Sequence, residues 1–218
     1  MFQKKIFAVI DTETTGGVKD PYCPAYHCGA VALSKKETKS KINIIVLRNL
    51  DMESAFYGQV KKEYYRELLK DPDVIICYTE DEAKAIFSQW LTDNNVSCVC
   101  AHNTSFDFCR TFVKDCIEGM EFFDIMFAFF DTIAQTKRYN QYCRENGYYT
   151  KSGNCRMTAE ICYRYITDNN NFIEEHTALA DSEIEAEILR AVWGTHKKFT
   201  RNAHKGDFRR LQVPCRLS

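Results

Sequence analysis

IFAVIDTETTG, residues 6 to 16, runs five consecutive apolar side chains (Ile6, Phe7, Ala8, Val9, Ile10) straight into two carboxylates, Asp11 and Glu13. Five apolar residues in a row read as a strand buried on both faces. Side chains alternate along a strand, so Asp11 and Glu13 project from the same side. Two like charges at the end of a buried strand repel and lose hydration, and they need solvent or a compensating cation. Either the tip of this strand is wet, or the pair holds a divalent metal.

Working outward, the pattern is α/β. Residues 5–13, 26–34 and 41–48 read as three consecutive strands with short connections, an antiparallel meander, and GGVKDPYCP between the first two reads as loop. Residues 60–70 and 81–93 read as helices, the second with Ala83, Ile86, Phe87, Trp90 and Leu91 on one face. VSCVCA, 96–101, is another buried strand. SFDFCRTFVKDCIEG reads as one helix ending at Gly119, and MEFFDIM, 120–126, as a short strand. Helices follow near 127–145 and 158–166, divided by a turn at TKSGN. The last spans about 178–194, stopped by Gly194. There is no repeat, low-complexity segment or Pro/Ser-rich linker.

The 218 residues are enough for one large domain, and 45% hydrophobic with 27% charged residues is ordinary globular composition. No apolar run approaches the length of a bilayer span, and the short apolar run of MFQKKIFAVIDTE is broken by acids, unlike a secretory signal. The eleven cysteines are irregularly spaced and include no Cys-x-x-Cys pair. Cys98, Cys100, Cys109, Cys116 and Cys162 lie in apolar stretches where cysteine acts as a small hydrophobe, and a reducing cytoplasm is the expected setting. Net charge is −1, unevenly spread: residues 196–218 carry +6 and the preceding body −7. A body that acidic repels nucleic acid unless its acids gather around metal or basic patches intervene.

Other acids converge on the first pair. VSCVCA runs into AHNTSFDF, which places Asp107 near the first turn of the next helix, beyond the end of a central strand. In the last helix Asp181 stands three residues before Ile184 and seven before Ile188, on the apolar packing face, where a carboxylate is costly unless paired or metal-bound. His176 falls in the preceding loop, free to reach the same place. Taken singly each has an ordinary explanation: a wet strand end, a capping acid, a packing histidine.

Together, DTETTG, AHNTSFD and EEHTALADSEIEAEIL resemble, in order, the three motifs of the DEDDh 3′–5′ exonucleases. This RNase H-like family includes the proofreading subunit of bacterial DNA polymerase III, RNase T and oligoribonuclease. The likeness runs from about residue 5 to 190. From YNQYCRENGYYTKSGN onward it is greatest to small stand-alone members encoded by bacteria and their phages. The resemblance implies an RNase H-like mixed five-stranded sheet flanked by helices, with an exonuclease domain over residues 1–195, and the charge asymmetry sets apart a basic tail over 196–218. It also implies an activity: removal of nucleoside 5′-monophosphates from the 3′ end of single-stranded DNA or RNA, DNA favoured, in replication or repair. One departure is visible. His27, in YHCGAV, stands where relatives commonly have Glu, which bears on contacts to the 3′ nucleotide.

The resemblance assigns Asp11, Glu13, Asp107 and Asp181 as ligands of two divalent ions, Mg²⁺ or Mn²⁺, with Asp11 bridging and Asp107 supporting the second ion. It makes His176 the general base. All-carboxylate donors suit these hard cations, and an imidazole titrates near neutral pH. Thr14 and Thr15 are assigned to the terminal nucleotide, with Asn103 and Phe106 as further contacts. Phe106 stacks on a base or joins the core. Three alternatives stay open: RNA 3′-end trimming, hydrolysis of oligonucleotides or small nucleotides, and a catalytically silent nucleic-acid-binding module. Nothing in the sequence indicates a polymerase partner or a membrane.

Overall fold

The computed structural model of the chain describes residues 5–16, 23–52, 58 and 60–193. Its centre is β1 (Ile6–Thr14), which pairs antiparallel with β2 (Ala25–Leu33) and parallel with β5 (Val96–Ala101). With β3 (Thr38–Val46), β4 (Ile75–Cys77) and β6 (Glu121–Asp124), the sheet order is β4-β3-β2-β1-β5-β6. The α/β class and the antiparallel meander of the first three strands are as expected.

The apolar run at residues 6–10 is explained by what covers the sheet. Phe7 and Val9 face one layer, and Ala8 and Ile10 face the other. Against Ala8 and Ile10 lie Phe87 of α3 (Glu80–Asp93), Phe108 of α4 (Thr104–Arg110) and Val113 of α5 (Val113–Cys116). Against Phe7 and Val9 lie α6 (Ile125–Thr132), α7 (Lys137–Asn146), α8 (Ala159–Thr167) and α9 (Ala178–Trp193). Trp193, at the end of α9, packs edge-on to Phe7 at 4.8 Å. Two short helices, α1 (Leu47–Leu50) and α2 (Lys62–Leu68), enclose a satellite core of Tyr26, Ile45, Leu50, Tyr65 and Val74.

Helix starts follow local chemistry. Thr79 and Glu82 form a reciprocal capping box at α3, while Thr136 and Thr158 cap α7 and α8. Three expectations are corrected. The sheet has six strands rather than five, because Ile75–Cys77 adds in parallel to β3. The helix expected over SFDFCRTFVKDCIEG is broken into α4 and α5. Thr111 turns extended (φ −112°, ψ 174°), its hydroxyl donating to Asp107 O at 2.6 Å and accepting from Val113 N, the local competition that ends helices at threonine. The helix expected near 127–145 is likewise two, split between α6 and α7 by the Thr136 cap.

Most of the described cysteines are buried, as expected of small hydrophobes. No helix among the described residues is long and apolar enough to cross a membrane. The basic stretch at 196–218 lies outside the described residues.

Candidate active site

Parity along β1 puts Phe7, Val9, Asp11 and Glu13 on the same face, the one covered by α9. Asp11 pairs with Gly29 and Glu13 with His27 across the antiparallel ladder, and the register shifts by a bulge just after Glu13. Over these pairs crosses the first turn of α9. Gly29 is what lets it approach: a Cβ there would sit 2.2 Å from Leu179 N and 2.3 Å from Ala178 C, both backbone atoms. The Ser182 hydroxyl donates to Gly29 O at 2.9 Å and seals the contact.

His27 is fully buried at the same crossing. Its Nδ1 accepts from Ala178 N at 3.3 Å, so its proton is on Nε2, which donates to Asn43 Oδ1 at 2.6 Å. Burial pushes its pKa down to about 4, opposed by the Asn43 bond. His27 is thus a neutral acceptor for an otherwise orphaned N–H at the start of α9. The substitution noted in the sequence serves to dock this helix.

The docking brings Asp181, one turn into α9, onto the β1 pair. Carboxylate oxygens of Asp11, Glu13 and Asp181 all lie within 4.8 Å of one another. Asp181 is buried, and its Oδ1 has no hydrogen-bond partner among the described residues. A buried carboxylate with an orphaned oxygen, within reach of two others, fits a cation, and oxygen donors fit a hard divalent one.

Asp107 arrives on α4. Asn103, at φ 82°, makes the left-handed turn into that helix, and Thr104 is tied by its N–H and hydroxyl to the buried Asp124 at 3.1 Å each. Thr12 then holds Asp107 Oδ1 through its hydroxyl (2.7 Å) and its N–H (3.1 Å). His176, in the loop before α9, adopts φ 52°, an uncommon conformation for a residue with a side chain, and its Nδ1 lies 4.0 Å from Glu174 Oε2.

These groups share a cleft of about 890 Å³ lined by Asp11, Glu13, Asn103, Phe106, Asp107, His176 and Asp181. Phe106 is half-buried and outside the core clusters. Thr14 and Thr15 are not among the lining residues: the Thr14 hydroxyl donates to Gly16 O, and Thr15 N to Pro24 O.

Two further acids line the cleft that sequence reading did not single out, Glu174 and Glu185. Glu185 is buried one turn after Asp181 and accepts from His102 N at 3.0 Å. The i, i+4 spacing from Asp181 was its one sequence signal.

The crowding shifts every acid upward. Burial raises Asp11 well above the ordinary carboxylate range, with Asp107, Glu185, Glu13 and Asp181 adding repulsion. Burial is also the leading cause for Glu13 and Asp107, both raised to about 7, and for Asp181, raised to about 8. Lys61 opposes the rise at Glu13 and Asp181. The His176 pKa is lowered, first by partial burial and then by Lys61, so its imidazole is neutral at neutral pH and able to accept a proton.

No family model matches the chain, and no curated protein matches it either. Among solved structures, 59 chains match its fold. One is described as the crystal structure of cell-death related nuclease 4 (CRN-4), similar with a TM-score of 0.50 at 13% identity. The match takes in 89% of this chain, which spans 65% of the length of that one. The six-stranded mixed sheet flanked by helices is therefore a fold this chain shares with a nuclease of known structure.

Proposed function

We propose that the chain is a metal-dependent nuclease, a 3′–5′ exonuclease that hydrolyses the terminal phosphodiester of single-stranded nucleic acid, DNA favoured, to release nucleoside 5′-monophosphates. The observation that carries this is the convergence of Asp11, Glu13 and Asp181 within 4.8 Å, with the orphaned Asp181 Oδ1, in a cleft that also holds Asp107 and His176. The fold shared with a nuclease supports the same reading.

Asp11, Glu13 and Asp181 would hold one divalent ion, Mg²⁺ or Mn²⁺, and Asp107 would support a second together with Asp11. Such ions supply, when bound, a lowered pKa for the attacking water and charge for the departing 3′ oxygen. The protein's own part is positioning and proton transfer. Thr12 fixes Asp107, and Ser182, Gly29 and His27 fix the helix that carries Asp181. His176, neutral and at the cleft, accepts the proton of the attacking water. Asn103 and the half-buried Phe106 ring present a polar and a stacking surface for the terminal nucleotide.

The test is incubation with 5′-labelled single-stranded DNA and RNA, with Mg²⁺ or with chelator. A ladder of shortened 5′-labelled products in Mg²⁺, absent in chelator, is the expected result, and relative rates give the sugar preference. Full activity in excess chelator overturns the metal assignment, and internal cuts without a ladder overturn the exonuclease one.

A further inference from the structure

Arg156 is the one cation among the described residues lining a cleft whose other charged walls are Asp11, Glu13, Asp107, Glu174, Asp181 and Glu185. With so many carboxylates around it, an arginine serving the fold would form an ion pair. Arg156 is exposed, and its side chain makes no salt bridge or hydrogen bond among the described residues.

Its backbone, by contrast, is held firmly. Arg156 N donates to Tyr148 O at 3.0 Å, and the fully buried Tyr139 donates its hydroxyl to Arg156 O at 2.5 Å. The next carbonyl, Met157 O, accepts from His102 Nε2 at 2.7 Å, and His102 N is in turn bound to Glu185. A bridge between Tyr149 and Cys155 and the Thr150–Asn154 turn, with Gly153 at φ 79°, complete the support. The chain thus fixes a short hairpin against the wall of the site and leaves at its rim a guanidinium with no partner among the described residues. A fixed backbone beneath the guanidinium removes the cost of ordering the main chain when an anionic ligand binds, leaving only that of the side chain.

Resting on the nuclease reading above, we propose that Arg156 grips a backbone phosphate of the bound strand. An acid-lined cleft attracts metal ions and repels the rest of a polyanion, so a strand leaving the metal site needs a cation at the rim. The guanidinium fork matches two phosphate oxygens at once, whereas a lysine offers only a point charge. Arg156 is then a substrate-binding residue that favours oligonucleotides over single nucleotides.

The experiment compares wild type, Arg156→Ala, Arg156→Lys and Lys151→Ala. Lys151 is exposed on the same turn but is not among the residues lining the cleft, so it controls for loss of charge alone. The measurements are affinity for a 5′-fluorescein single-stranded oligonucleotide, with Ca²⁺ as the probe metal over a salt series, and kcat and KM with Mg²⁺. Arg156→Ala is expected to weaken binding about tenfold or more, with the loss in KM rather than kcat. The slope of log affinity against log salt should flatten by about 0.7, one single-strand phosphate contact. Arg156→Lys should keep the slope while losing part of the affinity, and Lys151→Ala should match wild type. Unchanged affinity and slope in Arg156→Ala, or equal losses in Lys151→Ala, overturn the inference. A wild type that binds the strand but never cleaves it overturns the nuclease reading instead, and Arg156 is then judged by the binding data.

Discussion

Asp181 Oδ1 is buried on a packing face with nothing among the described residues to donate to it. In metal-free protein this is a cost, and Glu174 and Glu13 add repulsion; Asp181→Asn removes the buried charge. The variant is expected to gain about 1–3 kcal/mol of stability at pH 8 without metal, because a neutral amide costs less to bury than a carboxylate with no donor. It should also lose the rise in Tm that Mg²⁺ or Mn²⁺ confers on wild type. Thermal melts with and without metal check both, and an undiminished metal response removes Asp181 from the ligand set. His176 should behave differently. His176→Ala is expected to lower kcat about 10²–10⁴-fold, the usual range for a general base, while the metal-induced rise in Tm persists. If that rise disappears, the imidazole belongs among the ligands.

At the scale of elements, the site exists because α9 crosses β1 and β2 at one point. Gly29 and His27, two residues apart on one face of β2, make that crossing: the first removes a side chain, the second accepts Ala178 N. Gly29→Ala forces a Cβ into the Leu179 backbone, and no rotamer change relieves a clash with main chain. The expected loss is roughly 3 kcal/mol, at the upper end of overpacking. Because α9 carries Asp181, metal affinity should fall with it. Chemical denaturation and metal titration of this variant test the pair of effects, and a variant as stable as wild type shows that the helix is not seated as described.

The whole molecule sums opposing titrations. His27 ionises at about 4 in the fold against about 6.5 in an unfolded chain, so its contribution is present above 6.5 and is lost as pH falls toward 4. The acids act the other way. Glu13, Asp107 and Glu174 at about 7 and Asp181 at about 8 bind protons more tightly folded than unfolded. Their contribution is present below the ordinary carboxylate range and is lost as pH rises through 7 to 8. Above pH 6.5 the His27 contribution is complete while those of these acids are being lost, so metal-free Tm should fall between pH 6.5 and 8. A bound divalent cation favours the ionised forms, and the Tm gained from Mg²⁺ should therefore grow over the same interval. A gain independent of pH removes these carboxylates from metal binding.

The residue order alone determined the features that are local. IFAVI must be buried on both faces whatever covers it, Asp11 and Glu13 must share a side, and Asp181 must fall on the apolar stripe of its helix. The helix caps at Thr79, Thr136 and Thr158 are equally short-range. What tertiary structure decided is whatever depends on a neighbour distant in sequence. β4 is only three residues long and takes its place by pairing with β3, some thirty residues earlier in the chain. Glu185 has only its i, i+4 spacing from Asp181 to mark it until α9 turns it inward against His102 N, and Arg156 looks like a loop residue until Tyr139 holds its carbonyl and His102 the next one at the cleft. His27 was visible as a departure, but its role needed Ala178, 151 residues away. Periodicity reports which side of an element a residue occupies; only packing determines what meets it there.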